Sequence, residues 1–205
     1  MDLKGKKVLV FGAGKSGIGA ADLLGSAGAQ PVIYDGNADL DKEAVLHKTN
    51  GKYTPEIWAG DFPERALDSL DLVVLSPGVP TDLPLVKSFY EKGLPVWSEV
   101  ELAYRTGKGE VLAITGTNGK TTTTALLGKI MGDARESVFV VGNIGTAYTS
   151  KSLEMREDSV TVAEISSFQL ETIEKFAPKV SAILNITPDH LNRHHTMEEY
   201  IRVKE

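Results

Sequence analysis

The apolar run Val111 to Thr115 passes directly into Gly116-Thr117-Asn118-Gly119-Lys120-Thr121-Thr122 and then into a helical stretch that reaches Met131. No other segment limits the fold as much. A buried strand that feeds a helix through a glycine turn belongs to a parallel α/β sheet, where every return to the sheet needs a crossover. The same turn has a chemistry. Glycines free backbone N–H groups to wrap phosphate oxygens, Lys120 can bridge the β- and γ-phosphates, and the Thr121 hydroxyl is placed for Mg²⁺. Ile114 stands where the strict G-x-x-x-x-G-K-[ST] spacing has its first glycine. ATP binding is the reading; a plain turn with a solvated lysine is the alternative.

The N-terminal half has the same rhythm. Lys7 to Phe11 reads as a strand, Gly12-Ala13-Gly14-Lys15-Ser16-Gly17 as a G-x-G-x-x-G turn, and Ile18 to Ala27 as a helix. Further strands are expected at Pro31 to Tyr34, closing on Asp35, and at Asp71 to Leu75, closing on Ser76-Pro77-Gly78. The first turn can bring backbone N–H groups to a diphosphate, and Asp35 can accept hydrogen bonds from a ribose. Dinucleotide enzymes, UDP-sugar binders and simple βα turns all use such a turn. Past Gly93-Leu94-Pro95, Ser98 to Tyr104 reads as a connecting helix, and strands follow at Val138 to Val141, Val160 to Ile165 and Val180 to Leu184. The expected fold is α/β: a Rossmann-like parallel-sheet domain over 1–94, then part of a P-loop-type α/β ATPase domain over 95–205.

Charge and composition exclude several classes. With 28 acidic against 22 basic residues and a net charge of −6, the chain lacks the positive field of a nucleic-acid binder. It has no cysteine, hence no disulfide or thiolate metal site, and no stretch reaches the roughly 18 apolar residues of a membrane span. A cytoplasmic protein that does not enter the membrane is expected.

Polar groups recur at strand ends in the second half. Glu164, Ser166, Ser167 and Gln169 follow the strand at Val160, and Asn185-Ile186-Thr187-Pro188-Asp189-His190 follow the strand at Val180. Ligands collect at the C-terminal edge of a parallel sheet. Glu164 with Thr121 and phosphate oxygens would satisfy Mg²⁺, which prefers oxygen and keeps several waters; a helix cap by Ser166 or Ser167 explains the hydroxyls alone. His190 reads either as a metal-linked imidazole or as a structural histidine. His194 and His195 read as solvated loop residues, and Lys204 as an exposed helix lysine.

The loop Thr115 to Thr121, the run Glu164-Ile165-Ser166-Ser167-Phe168-Gln169-Leu170 and the run Asn185 to His190 together resemble the Mur ligase superfamily. Ser-Ser-Phe-Gln-Leu and the first glycine turn point to its D-glutamate-adding branch. The resemblance implies that ATP phosphorylates the carboxylate of UDP-N-acetylmuramoyl-L-alanine, that the amine of D-glutamate attacks the acyl phosphate, and that ADP and phosphate leave. It implies that Gly116 to Thr122 hold ATP, that Lys120, Glu164, His190 and Lys204 carry the catalysis, and that Thr121, Glu164, His190 and a carbamylated Lys204 hold Mg²⁺. Gly14, Lys15, Ser16, Asp35, Ser76, Pro77, Gly78, Asn143, Ser166 and Gln169 would bind substrate. Asn192 stands where family members often carry aspartate. The family's C-terminal domain is expected to be missing, so that these residues would not ligate alone; a monomer is expected. Another superfamily member, a dinucleotide-dependent oxidoreductase built on the first turn, and a non-catalytic nucleotide-binding module are the competing readings.

Overall fold

The computed structural model describes residues 2–143 and 145–205. Its N-terminal sheet joins β1 (Lys7–Phe11), β2 (Gln30–Asp35), β3 (Glu56–Ala59), β4 (Leu72–Leu75) and β5 (Val96–Ser98) in the order β3-β2-β1-β4-β5. All neighbours run parallel, with Val8 opposite Pro31 on one side and Leu72 on the other. Successive strand residues point to opposite faces, and both faces are covered, so the strands are apolar throughout. Val8, Val10, Ile33, Leu72 and Val74 meet Ile18, Ala21 and Leu24 of α1 (Lys15–Ser26). Leu9, Phe11, Val32, Val73 and Leu75 share the opposite layer with Val86 and Phe89 of α3 (Pro84–Glu91), while α2 (Lys42–Lys48), capped by Asp41, adds Val45 to the first layer. The boundary expected at residue 94 falls before β5, whose Val96–Ser98 pair with β4, so the first sheet runs through Ser98.

The second sheet joins β6 (Glu110–Thr115), β7 (Val138–Gly142), β8 (Val160–Glu164) and β9 (Val180–Ile183) in the order β7-β8-β6-β9, again parallel. The ends of β6, β8 and β9 therefore lie side by side. From them start α5 (Lys120–Ala134), α6 (Ser167–Leu170) and the segment leading to α7 (Leu191–His194) and α8 (Met197–Lys204). Among the described residues no helix is long and apolar enough to cross a membrane.

Helix α4 (Glu99–Thr106) ties the two sheets together. Val100, Leu102 and Ala103 belong to a core that also contains Val8 and Val10 of the first sheet and Val111, Ala113 and Ala163 of the second. The Glu101 side chain is fully buried, and its carboxylate accepts the backbone N–H groups of Glu174, Lys175 and Phe176 as well as Arg105 Nε. A buried charge is tolerable only when donors surround it in this way. The Ser98 amide adds a bond to the Thr172 carbonyl (3.0 Å), and Trp97 Nε1 one to Glu174 (2.8 Å).

Candidate active site

The first glycine turn closes tightly on itself. A Cβ at Gly17 would stand 1.8 Å from the Gly12 carbonyl oxygen, so only glycine lets α1 start this close to β1. The Ser76 hydroxyl donates to that carbonyl (3.2 Å), which joins the turn after β1 to the turn after β4. These neighbouring strands lie where the order of the sheet reverses, the crevice in which open α/β sheets bind ligands. Gly14, Lys15, Ser16, Asp35, Ser76, Pro77, Gly78 and Asn143 all line a hollow of about 590 Å³ there. Asp35 already has partners, accepting the Ala13 and Asn37 amides at 3.0 Å each, so it holds the turn's shape as well as facing the hollow.

In the second domain Gly116 (φ 141°) and Gly119 (φ 84°) bend the phosphate loop, and α5 starts from Gly119 without a side-chain cap. Its first-turn N–H groups thus remain available to an anion. The loop is braced against the segment after β9. Asn118 N–H donates to Asn185 Oδ1 (2.9 Å), Asn185 Nδ2 returns a bond to the Asn118 carbonyl (3.0 Å), and the Thr187 amide donates to the Thr117 hydroxyl (3.0 Å), which also meets the Tyr200 hydroxyl (2.9 Å). Thr121 and Thr122 are exposed on the first turn of α5.

Lys120 and Lys204 converge on this loop. Lys120 Nζ donates to the carbonyls of Gly116 (2.8 Å) and Thr117 (2.9 Å), and Lys204 Nζ to the Thr115 hydroxyl (3.0 Å) and the same Gly116 carbonyl (3.2 Å). Lys204 is 6% exposed, which corrects the expectation of a solvated helix lysine: α8 turns Tyr200, Val203 and Lys204 inward on one face. Burial, and then the charge of Lys120, push its pKa down to about 8. Both lysines line a hollow of about 280 Å³ with Gly116, Asn143, Ser166, Phe168, His190 and Tyr200.

Glu164, 2% exposed at the end of β8, receives a 3.3 Å bond from Asn143 Nδ2. A buried carboxylate so lightly paired fits a cation beside it. Among the described residues no cluster of three or more His, Cys, Asp or Glu side chains stands ready for a metal, so a cation beside Glu164 would draw most of its ligands from other groups, phosphate oxygens and water among them. His190 has φ 52° and lies against the Phe168 ring (4.8 Å) beside Asp189 (3.5 Å). His194, expected to be solvated, is 3% exposed instead, because the chain turns back at His195 (φ 65°) and brings its Nε2 to the Ser167 hydroxyl at 2.9 Å. Burial and the neighbouring Arg193 hold its pKa below the usual imidazole range.

Ser166 and Gln169 form a capping box at α6, and Gln169 Nε2 reaches Glu99 Oε1 (2.8 Å). Glu99, which sequence reasoning did not single out, lines a small chamber with Lys15, Ser16, Asn143 and Gln169. Arg193 was also passed over; it pairs with Glu171 and donates to the Val79 carbonyl (2.8 Å) of the first domain. Pro77 and Asn143 line the chamber and both larger hollows, so one cleft runs from the first glycine turn to Lys120 and Lys204.

Comparison with known proteins agrees with this layout. Residues 6–98 match the Mur ligase MurD-like N-terminal domain, and residues 114–205 match the Mur ligase middle domain. The chain is 60% identical over 205 residues to the UDP-N-acetylmuramoylalanine–D-glutamate ligase of Lachnospira eligens, and 47% identical to that of Clostridioides difficile. All of this chain is covered in both cases, but it spans only 45% of each relative's length. Two solved structures share the fold. The UDP-N-acetylmuramate:L-alanyl-gamma-D-glutamyl-meso-diaminopimelate ligase from Neisseria meningitides gives a TM-score of 0.55 at 18% identity, covering 97% of this chain and 66% of that one. The UDP-N-acetylmuramate-alanine ligase from Thermotoga maritima gives 0.52 at 24%, covering 97% and 45%.

Proposed function

Since this chain belongs to the Mur ligase family, in its MurD-like branch, we propose that it supplies the UDP-substrate and ATP sites of a ligase joining D-glutamate to UDP-N-acetylmuramoyl-L-alanine. The chain spans 45% of its relatives' length, so the complete reaction is proposed for a protein of the relatives' full extent. The observation that carries the reading is the meeting of Lys120 and Lys204 at the Gly116 carbonyl, inside a cleft that continues to the first glycine turn.

In this reading Gly14, Lys15, Ser16, Asp35, Ser76, Pro77 and Gly78 hold the uridine diphosphate, and Asn143, Ser166 and Gln169 guide the muramoyl arm. The arm's carboxylate then lies before Lys120. Gly116 to Thr122 cradle ATP through backbone N–H groups and the start of α5. Lys120 offsets the charge of the phosphoryl group as it passes to the carboxylate oxygen and ADP departs. Attack by the D-glutamate amine on the acyl phosphate forms the amide and expels phosphate. The protein's share is positioning and charge neutralisation, the usual demand of phosphoryl transfer. Thr121, Glu164, His190 and a carbamylated Lys204 would hold Mg²⁺, which supplies further charge neutralisation at the phosphates when bound. A cytoplasmic monomer taking part in cell-wall synthesis completes the proposal.

Nucleotide binding tests it. ATP with Mg²⁺ should bind these 205 residues, and Lys120→Met should weaken it by about 10- to 100-fold, the range for losing a charge-assisted hydrogen bond. Equal affinity in both proteins would contradict the assignment of the loop.

A further inference from the structure

We infer that Glu99 determines specificity: its free carboxylate oxygen accepts a hydrogen bond from an N–H or O–H donor on the sugar–peptide middle of the ligand. The inference rests on the function proposed above and names a contact within it. Glu99 opens α4 at 4% exposure. The Ser166 backbone amide donates to Gln169 Oε1 (2.8 Å), which fixes the orientation of the Gln169 amide and leaves its Nε2 to donate to Glu99 Oε1. Glu99 Oε2 is buried and has no hydrogen-bond partner among the described residues. Acceptors buried in that way are costly unless something donates to them.

The surroundings indicate what donates. Glu99 lines a chamber of about 70 Å³, which has room for a small polar group. Lys15 and Ser16 are shared with the hollow at the first glycine turn, and Asn143 and Pro77 also with the hollow at Lys120. The chamber therefore opens on the middle of the cleft, where a ligand spanning both ends presents amide N–H groups and hydroxyls. Burial raises the Glu99 pKa to about 7, the mark of a desolvated carboxyl at which a donor counts heavily.

The test is a calorimetric titration of wild type and Glu99→Gln with UDP, UDP-N-acetylglucosamine and UDP-N-acetylmuramoyl-L-alanine. In the variant, Gln169 still donates to the side-chain oxygen of residue 99, and an NH₂ group replaces the free acceptor. The muramoyl ligand should weaken about tenfold or more while UDP changes less than twofold. A parallel loss for UDP-N-acetylglucosamine places the donor on the sugar, and no such loss places it on the peptide arm. If Glu99→Gln does not fold, judged by circular dichroism and thermal melting, Glu99→Asp draws the oxygen back by one methylene and should give the same selective loss. Unchanged affinity for the muramoyl ligand, or an equal loss for UDP, overturns the inference and leaves the proposed function standing. A wild type that binds the muramoyl ligand no better than UDP overturns both.

Discussion

Lys204 Nζ lies 3.0 Å from the Thr115 hydroxyl, so the last turn of α8 anchors itself at the strand end where the phosphate loop begins. An ordinary lysine is almost wholly charged at neutral pH and does not react with CO₂. Burial and the charge of Lys120 bring this one down from 10.5 to about 8, so near pH 8 a large share is the neutral, nucleophilic amine. Protein equilibrated with ¹³C-bicarbonate should show a carbamate carbon signal by NMR that grows as the pH rises toward 8 and is absent from Lys204→Arg. A signal that persists in the variant would assign the carbamate elsewhere.

The closure of the first turn predicts a sharp steric effect. Gly17→Ala places a methyl group 1.8 Å from the Gly12 carbonyl, and neither backbone can yield without moving α1 away from β1. UDP binding should fall by at least tenfold, whereas Gly132→Ala on α5, whose added carbon meets nothing within 4 Å, should fold and retain it. Equal retention by both variants would mean that the turn does not shape the ligand site.

Glu101 joins the domains through backbone amides, so its loss should be felt as stability. Glu101→Gln turns an NH₂ group toward the N–H groups of Glu174, Lys175 and Phe176 or toward Arg105, leaving buried donors unpaired. A cost of about 3–5 kcal/mol follows from breaking a buried ionic network, with a Tm drop of roughly 10 °C in a chain of this size. Glu198→Gln, on the exposed first turn of α8, should stay within about 0.5 kcal/mol of wild type. A Glu101 variant as stable as the Glu198 control would remove the basis for a rigid junction.

The sheets were legible wherever a strand is buried on both faces. Lys7–Phe11 was expected with those limits, and Val111–Thr115 and Val160–Ile165 to within one residue, because continuous apolar runs allow little else. The short strands escaped notice. Glu56–Ala59 has only four residues at the sheet edge, and Val96–Ser98 stands directly behind Pro95 where the boundary between the domains was expected. Phosphate-loop and strand-end residues could be read from glycine spacing and strand context. Burial at single positions could not: Lys204 depends on which face α8 turns inward, and His194 on a backward turn at His195 that no local signal announces. Tyr200 and Lys204, four residues apart on one helix face, did offer a periodic clue. Glu99 offered none, since its importance comes from Gln169, distant in sequence and adjacent in space.

The most direct test of the proposed function is a calorimetric titration of the 205-residue protein with UDP-N-acetylmuramoyl-L-alanine, with NADH as the control. Saturable binding of the muramoyl ligand, with no heat from NADH, is the predicted result. Binding of NADH with none of the muramoyl ligand would contradict it and make the first glycine turn a dinucleotide site.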